Sequence, residues 1–178
     1  MKLWQKDKAS LKEVEKFTVG LDQSMDMYLA KFDALGSLAH IQMLQSINLL
    51  TTDELKSLSA ELKNIYKRIE TGDFKVEEGV EDIHSQVELE LTKKLGETGK
   101  KIHSGRSRND QVLVDIKLYL RFELEQIVQE TKSVFDLLLE QSEKYKAHLL
   151  PGYTHFQLAM PSSFGLWFGA YAESLVDD

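Results

Sequence analysis

The sequence predicts an all-α protein, on three observations. Apolar residues recur three or four positions apart through most of the 178 residues. Proline occurs only at Pro151 and Pro161, so little interrupts a helix. No stretch alternates apolar and polar residues over the length of a strand. There is no internal repeat and no low-complexity segment.

The elements follow in order. Met25 to Leu50 carries Leu29, Phe32, Leu35, Ala39, Met43, Ile47 and Leu50 at helical spacing, interrupted only by Gly36. Thr51 with Glu54 three residues on is a capping-box pattern, and the helix it starts runs to about Glu70, where "TGD" stops it. A third helix is expected from about Val80 to Leu95, with Ile83, Val87, Leu91 and Leu95 on one face and Gly96 placed like a C-terminal cap. From Val112 to Leu150 there is neither glycine nor proline. Leu113, Ile116, Leu120, Leu124, Ile127, Thr131, Val134, Leu138, Ser142, Tyr145 and Leu149 recur at steps of three or four, the rhythm of a helical bundle. That helix would be about 57 Å long at 1.5 Å per residue, more than the rest of this chain can cover. "PGYTHFQLAMP", Pro151 to Pro161, is expected as a loop, followed by a helix striped with Phe164, Trp167, Phe168, Tyr171 and Leu175. The stripe stops in mid-pattern at Asp178, which points to a cut chain.

Composition narrows the function classes. Apolar residues at 42% fit a soluble globular protein, and the formal charge of −7 argues against general nucleic-acid binding. The absence of cysteine excludes disulfides, thiolate metal sites and a thiol nucleophile. The opening "MKLWQKDKAS" does not look like a secretory signal, and no apolar run approaches a membrane span. A cytoplasmic location is the expectation.

Against that acidic background, "HSGRSRNDQ" gathers Arg106, Ser107, Arg108 and Asn109 into one short run. Arginine offers a planar fork that binds carboxylate through two hydrogen bonds. Serine, threonine and asparagine add neutral donors, and the start of a long helix adds free N–H groups and a positive dipole end. Together these describe a pocket for a polycarboxylate, and a histidine beside it is the natural proton-transfer group near neutral pH. Plainer readings exist for each piece. Ser107 and Asp110 could simply cap the long helix. His84 and Glu88, one turn apart in "EDIHSQVE", could be an exposed helical pair. Lys100, Lys101, Arg106 and Arg108 could touch RNA, although no aromatics are interleaved with them. His84, His103 and His155 show no zinc-ligand spacing, so no metal is expected.

"HSGRSRNDQV" and "PGYTHFQLAMP", preceded by "EDIHSQVE" and "DALGSLAHIQML", resemble the argininosuccinate lyases of the fumarase/aspartase superfamily. The resemblance covers essentially the whole chain. It implies an N-terminal portion, because family members are more than twice this long and the signature loop Gly-Ser-Ser-x-Met-Pro-x-Lys-x-Asn is absent. What it implies is a small helical domain over residues 1–111 and the start of a central helical bundle over residues 112–178. The implied reaction cleaves argininosuccinate to arginine and fumarate without a cofactor, in arginine biosynthesis, by a homotetramer whose active sites each draw on three subunits. By motif, His155 matches the family's proton acceptor, a role the signature-loop serine also contests. Asn109 and Thr154 would hydrogen-bond substrate, and Arg108 would bind its carboxylate. Ser107 and Gln157 would add further substrate contacts, and His84 would bind substrate or stand just behind the residues that do. The family's "FN-x-S" reads "FTVGLD" here, with Asp22 at the serine position, and its "LWGGRF" opening reads "LWQKDK". The same fold also serves adenylosuccinate cleavage and, without catalysis, eye-lens crystallins. The "GRSRND" and "GYTHFQ" spellings favour argininosuccinate.

Overall fold

The computed structural model describes residues 14, 17, 18 and 20–177, and these are largely helical. The "LWQKDK" opening lies outside them. Contacts divide the chain into two compact units, one ending at Leu120 and the other beginning at Arg121.

Where one helix was expected from Met25 to Leu50, the first unit has two: α1 (Asp22–Asp26) and α2 (Ala30–Ser46). Hydrogen bonds distant in sequence hold α1 apart, since Gln23 donates to the Val80 carbonyl and Asp26 Oδ2 accepts from the Ile83 amide at 3.2 Å. At the other end the amides of Leu49 and Leu50 fold back onto the Leu44 carbonyl, across Asn48 at φ 62°. Asparagine tolerates that left-handed conformation better than most residues, and it ends the helix before Leu50. Gly36 does not interrupt α2. Its job is closeness, because a Cβ there would lie 3.0 Å from Val114 Cγ1.

Helix α3 (Thr52–Thr71) starts on the capping box the sequence spells. The Glu54 amide donates to Thr51 Oγ1 at 3.2 Å, and the Thr51 amide donates to Glu54 Oε2 at 2.9 Å. Gly72 closes the helix at φ 78°. Helix α4 (Ile83–Leu95) is capped by Asp82, which accepts from the Ser85 amide at 2.7 Å, and it ends at Gly96 as expected. A short α5 (Glu97–Lys100) and a single 3₁₀ turn (Lys101–His103) lead to the functional stretch. Ile41, Leu44, Leu58, Leu62, Ile65, Ile83, Val87 and Leu91 close the core between α2, α3 and α4. Each such side chain contributes about 1.5–3 kcal/mol by leaving water.

Helix α6 (Arg108–Lys144) is the long helix, unbroken at Thr131, about 55 Å at 1.5 Å per residue. It starts four residues before Val112 because Ser107 and Asp110 form a reciprocal cap, and it stops short of Leu149 at Lys144.

In the second unit the segment expected to be a loop is a β-hairpin. Strand β1 (Leu149–Thr154) pairs antiparallel with β2 (Gln157–Ser163), closed by the pair Thr154 and Gln157. Its two-residue turn, His155 and Phe156, holds φ 50° and 59°, the handedness that matches strand twist. Nothing in the sequence flagged it. The turn lacks the usual Asn-Gly chemistry, and Pro151 facing Pro161 removes two ladder donors. Helix α7 (Phe164–Asp177) follows, capped by Ser163, with Trp167 packed edge-on at 5.2 Å against both Phe168 and Tyr171. Gly165 lets α7 meet α6 closely, and Ser142 Oγ donates to its carbonyl at 2.7 Å.

Candidate active site

The predicted site residues fall into two groups. In the first unit, Ser107, Arg108 and Asn109 stand at the N-terminal end of α6. The reciprocal bonds with Asp110 occupy Ser107: its amide donates to Asp110 Oδ2 at 2.7 Å, and its hydroxyl accepts from the Asp110 amide at 3.3 Å. The capping reading of Ser107 therefore holds. Arg108 is half-buried and its fork is held from α4: Nη2 donates to Ser85 Oγ at 3.0 Å, and Nη1 lies 3.2 Å from Asp82 Oδ1. Asp82 thus fixes both the start of α4 and the orientation of the guanidinium. Asn109, next in sequence, is exposed. Asp22 is also exposed, in the first turn of α1.

In the second unit, Thr154, His155 and Gln157 share the tip of the hairpin, all exposed. Thr154 and Gln157 are the closing register pair, and His155 occupies the turn between them.

His84 departs from the exposed-pair reading. It is 4% exposed, and its Nδ1–H donates to Asp33 Oδ1 at 2.9 Å, with Asp115 Oδ2 at 3.6 Å. Glu88 is not among these partners. Gln111 Nε2 donates to the same Asp33 oxygen at 2.6 Å. Burial would push the imidazole down, but the hydrogen bond to Asp33 and the charges of Asp33, Asp82 and Asp115 outweigh it, and the His84 pKa is raised. Burial pushes the Asp115 carboxyl up to about 7, with the charge of Asp33 adding and those of His84 and Arg106 opposing. Arg106 donates from Nη2 to Ser37 Oγ at 3.0 Å. Asp33, Gln111, Asp115, Ser85 and Asp82 were not singled out from the sequence. The available signal was an aspartate inside each of two apolar helical patterns, at "FDALG" and "LVDIK".

What this arrangement can do chemically is present a clamped guanidinium and an exposed amide at a helix N-terminus, where anions are favoured. The hairpin separately presents a hydroxyl, an imidazole and an amide.

Comparison with known proteins bears on that chemistry. The chain is 64% identical over 177 residues to the argininosuccinate lyase of Phocaeicola vulgatus, covering 99% of this chain and 40% of that protein. It is 43% identical to the argininosuccinate lyase of Thermotoga neapolitana, covering 99% and 44%. The chain therefore spans less than half the length of these curated relatives. Among solved structures, an EDDS lyase variant with bound fumarate superposes with a TM-score of 0.73 at 20% identity, over 96% of this chain and 34% of that one. The fumarate lyase:delta crystallin of Brucella melitensis gives 0.72 at 16% identity, over 93% and 42%. These two likenesses establish a shared helical fold. A family model described as Lyase matches residues 7–178, and on that match the chain belongs to the lyase family.

Proposed function

We propose that this chain is part of an argininosuccinate lyase, which cleaves argininosuccinate to arginine and fumarate. The observation that carries the reading is the 64% identity to curated argininosuccinate lyases across 99% of the chain. The clamped Arg108 supports it. A fork pre-set by Asp82 and Ser85 loses little freedom on meeting a carboxylate, and bidentate pairing gives it directional preference for that group.

In this reading the reaction removes a proton from carbon beside a carboxylate, and the negative charge that develops needs donors already in place. Arg108 binds the substrate carboxylate, while Asn109 and Thr154 hydrogen-bond the substrate. His155 accepts or relays the proton, with Gln157 beside it on the closing pair of the hairpin. Ser107 acts through its cap, holding the start of α6, and Asp22 stands where the family places a serine. His84 acts from behind, through the buried network. The departing guanidinium nitrogen takes a proton from a general acid. No cofactor is needed. The enzyme assembles as a cytoplasmic homotetramer, with residues 1–111 as its N-terminal domain and 112–178 opening its bundle. The test is fumarate release, followed by ultraviolet absorbance, from the family-length protein carrying this sequence. Release from argininosuccinate is expected; release from adenylosuccinate alone would reassign the substrate. The 178-residue chain by itself should release none, since the signature loop is absent from it.

A further inference from the structure

Two buried carboxylates and a half-buried guanidinium stand behind His84, with no substrate contact in the chemistry just described. Asp33 and Asp115 are 0% and 1% exposed, and Arg106 lies against them. Among the described residues, Asp33 Oδ2, both oxygens of Asp115 and Arg106 Nε have no hydrogen-bond partner. A buried ionised carboxylate with no donor is costly, so the cluster must be balanced by charge. With both carboxylates ionised, they leave a deficit of one positive charge against the one guanidinium. Asp33, His84 and Asp115 each offer a ligand atom, all within 4.8 Å of one another, which is a spacing a divalent cation also fits. Charge decides between the two. One proton neutralises these three groups, whereas a divalent ion would leave them with an excess positive charge.

We propose that Asp33, His84 and Asp115 form a buried proton-holding site, and that Asp115 is a positioning residue for Arg108. The proton that Asp33 holds on His84 by hydrogen bond, with the charge of Asp115 beside it, fixes the start of α4, where the neighbouring Ser85 and Asp82 grip the Arg108 guanidinium. The use made of Arg108 rests on the lyase reading; the proton site does not. The charged groups that face the cluster are Asp26 at the end of α1, Asp33 on α2, Asp82 and Glu88 at and within α4, and Arg106 and Arg108 at the start of α6. Asp82 pairs with Arg108, and of the carboxylates Asp33 stands nearest the His84 ring nitrogen, with Asp115 next. The upward shifts of both His84 and Asp115 agree with a proton retained at neutral pH.

The 178-residue chain labelled with ¹⁵N-histidine reports the charge of each imidazole by NMR. His84 should be an imidazolium at neutral pH and release its proton only above the ordinary histidine range. In Asp115→Asn one negative charge is gone, and His84 should release its proton at a lower pH than in the unmutated chain. Asp115→Glu should restore the higher one. The Arg108 Nε resonance, from ¹⁵N-arginine, should move in step with the His84 titration. Should Asp115→Asn not fold, the unmutated titration decides: a neutral His84 at pH 7, or an Arg108 signal indifferent to it, overturns the proposal. An Asp115→Asn chain with unaltered His84 titration overturns it too. So does cobalt(II) producing a d–d absorption band that Asp115→Asn removes, because the cluster would then be a cation site. Failure of the lyase reading looks different. Unchanged kcat/KM for Arg108→Lys in the family-length protein would take Arg108 away from substrate and leave the His84 proton where it is.

Discussion

Arg108 shows how much a single side chain depends on its neighbours. Lysine in its place keeps the charge and loses the fork, along with one of the two grips from Ser85 and Asp82. In the family-length protein Arg108→Lys should lower kcat/KM at least about tenfold, measured by fumarate release. His155→Asn should lower turnover by about 10²- to 10⁴-fold, the range for a positioned proton-transfer group, while circular dichroism stays unchanged. Asparagine accepts the φ of 50° held by His155, so the hairpin keeps its turn. Near-normal kcat across neutral pH in that variant would make His155 a turn residue. At this scale the sequence was informative where chemistry is written in adjacent letters. The cap made by Ser107 and Asp110, three residues apart, was visible in the sequence as the plainer alternative to a substrate contact. The Asp33–His84 pair did not, because its members stand 51 residues apart and only folding joins them.

Among the elements, α3 and α5 make opposite demands. Thr51 secures α3 through a local box, so Thr51→Ala should cost about 0.5–2 kcal/mol in chemical denaturation with no change in fold. Gly99 in α5 lies so near α4 that an added Cβ would stand 2.4 Å from the Leu91 carbonyl carbon and oxygen. Gly99→Ala should therefore cost more than the box does, on the scale of overpacking, about 1–3 kcal/mol or beyond because backbone must yield. Equal midpoints for the two variants would contradict that ranking. The helices were legible because their spacing, caps and glycines are local signals. The hairpin was not, since two prolines and a His-Phe turn hide an antiparallel ladder from any pattern of alternation. Gly36 was misleading for a related reason: what it serves is Val114 on another helix, 78 residues further along, not the path of its own.

For the whole molecule, proton linkage sets a pH profile. His84 and Asp115 both have raised pKa values, so the folded chain binds more protons than the unfolded one. Their contribution is present in full below their unfolded values and is lost as pH rises through the folded ones. Stability should fall as pH rises from about 4 to about 7 through Asp115, and further above the ordinary histidine range through His84, and Asp115→Asn should flatten the first part of that slope. Glu54, held near 2 by Lys101 and the Thr51 amide, acts in the other direction, losing its contribution as pH drops below about 4.5. Denaturant midpoints across pH would test both limbs; a rise toward pH 8 would contradict the first. The same scale governs α6, where Leu113, Leu124, Ile127 and Val134 are all at least 50% exposed within this chain. Under the proposed assembly, light scattering on the family-length protein should report a tetramer at micromolar concentration. A consequence follows for mutational tolerance. Surface positions ordinarily accept most substitutions within about 0.5 kcal/mol, but along this stripe exposure and permissiveness should part company. In a saturation scan selected for activity, Leu124 and Ile127 should reject polar residues as strictly as Leu58 and Leu62 do, while their exposed neighbours Glu125 and Gln129 accept nearly anything.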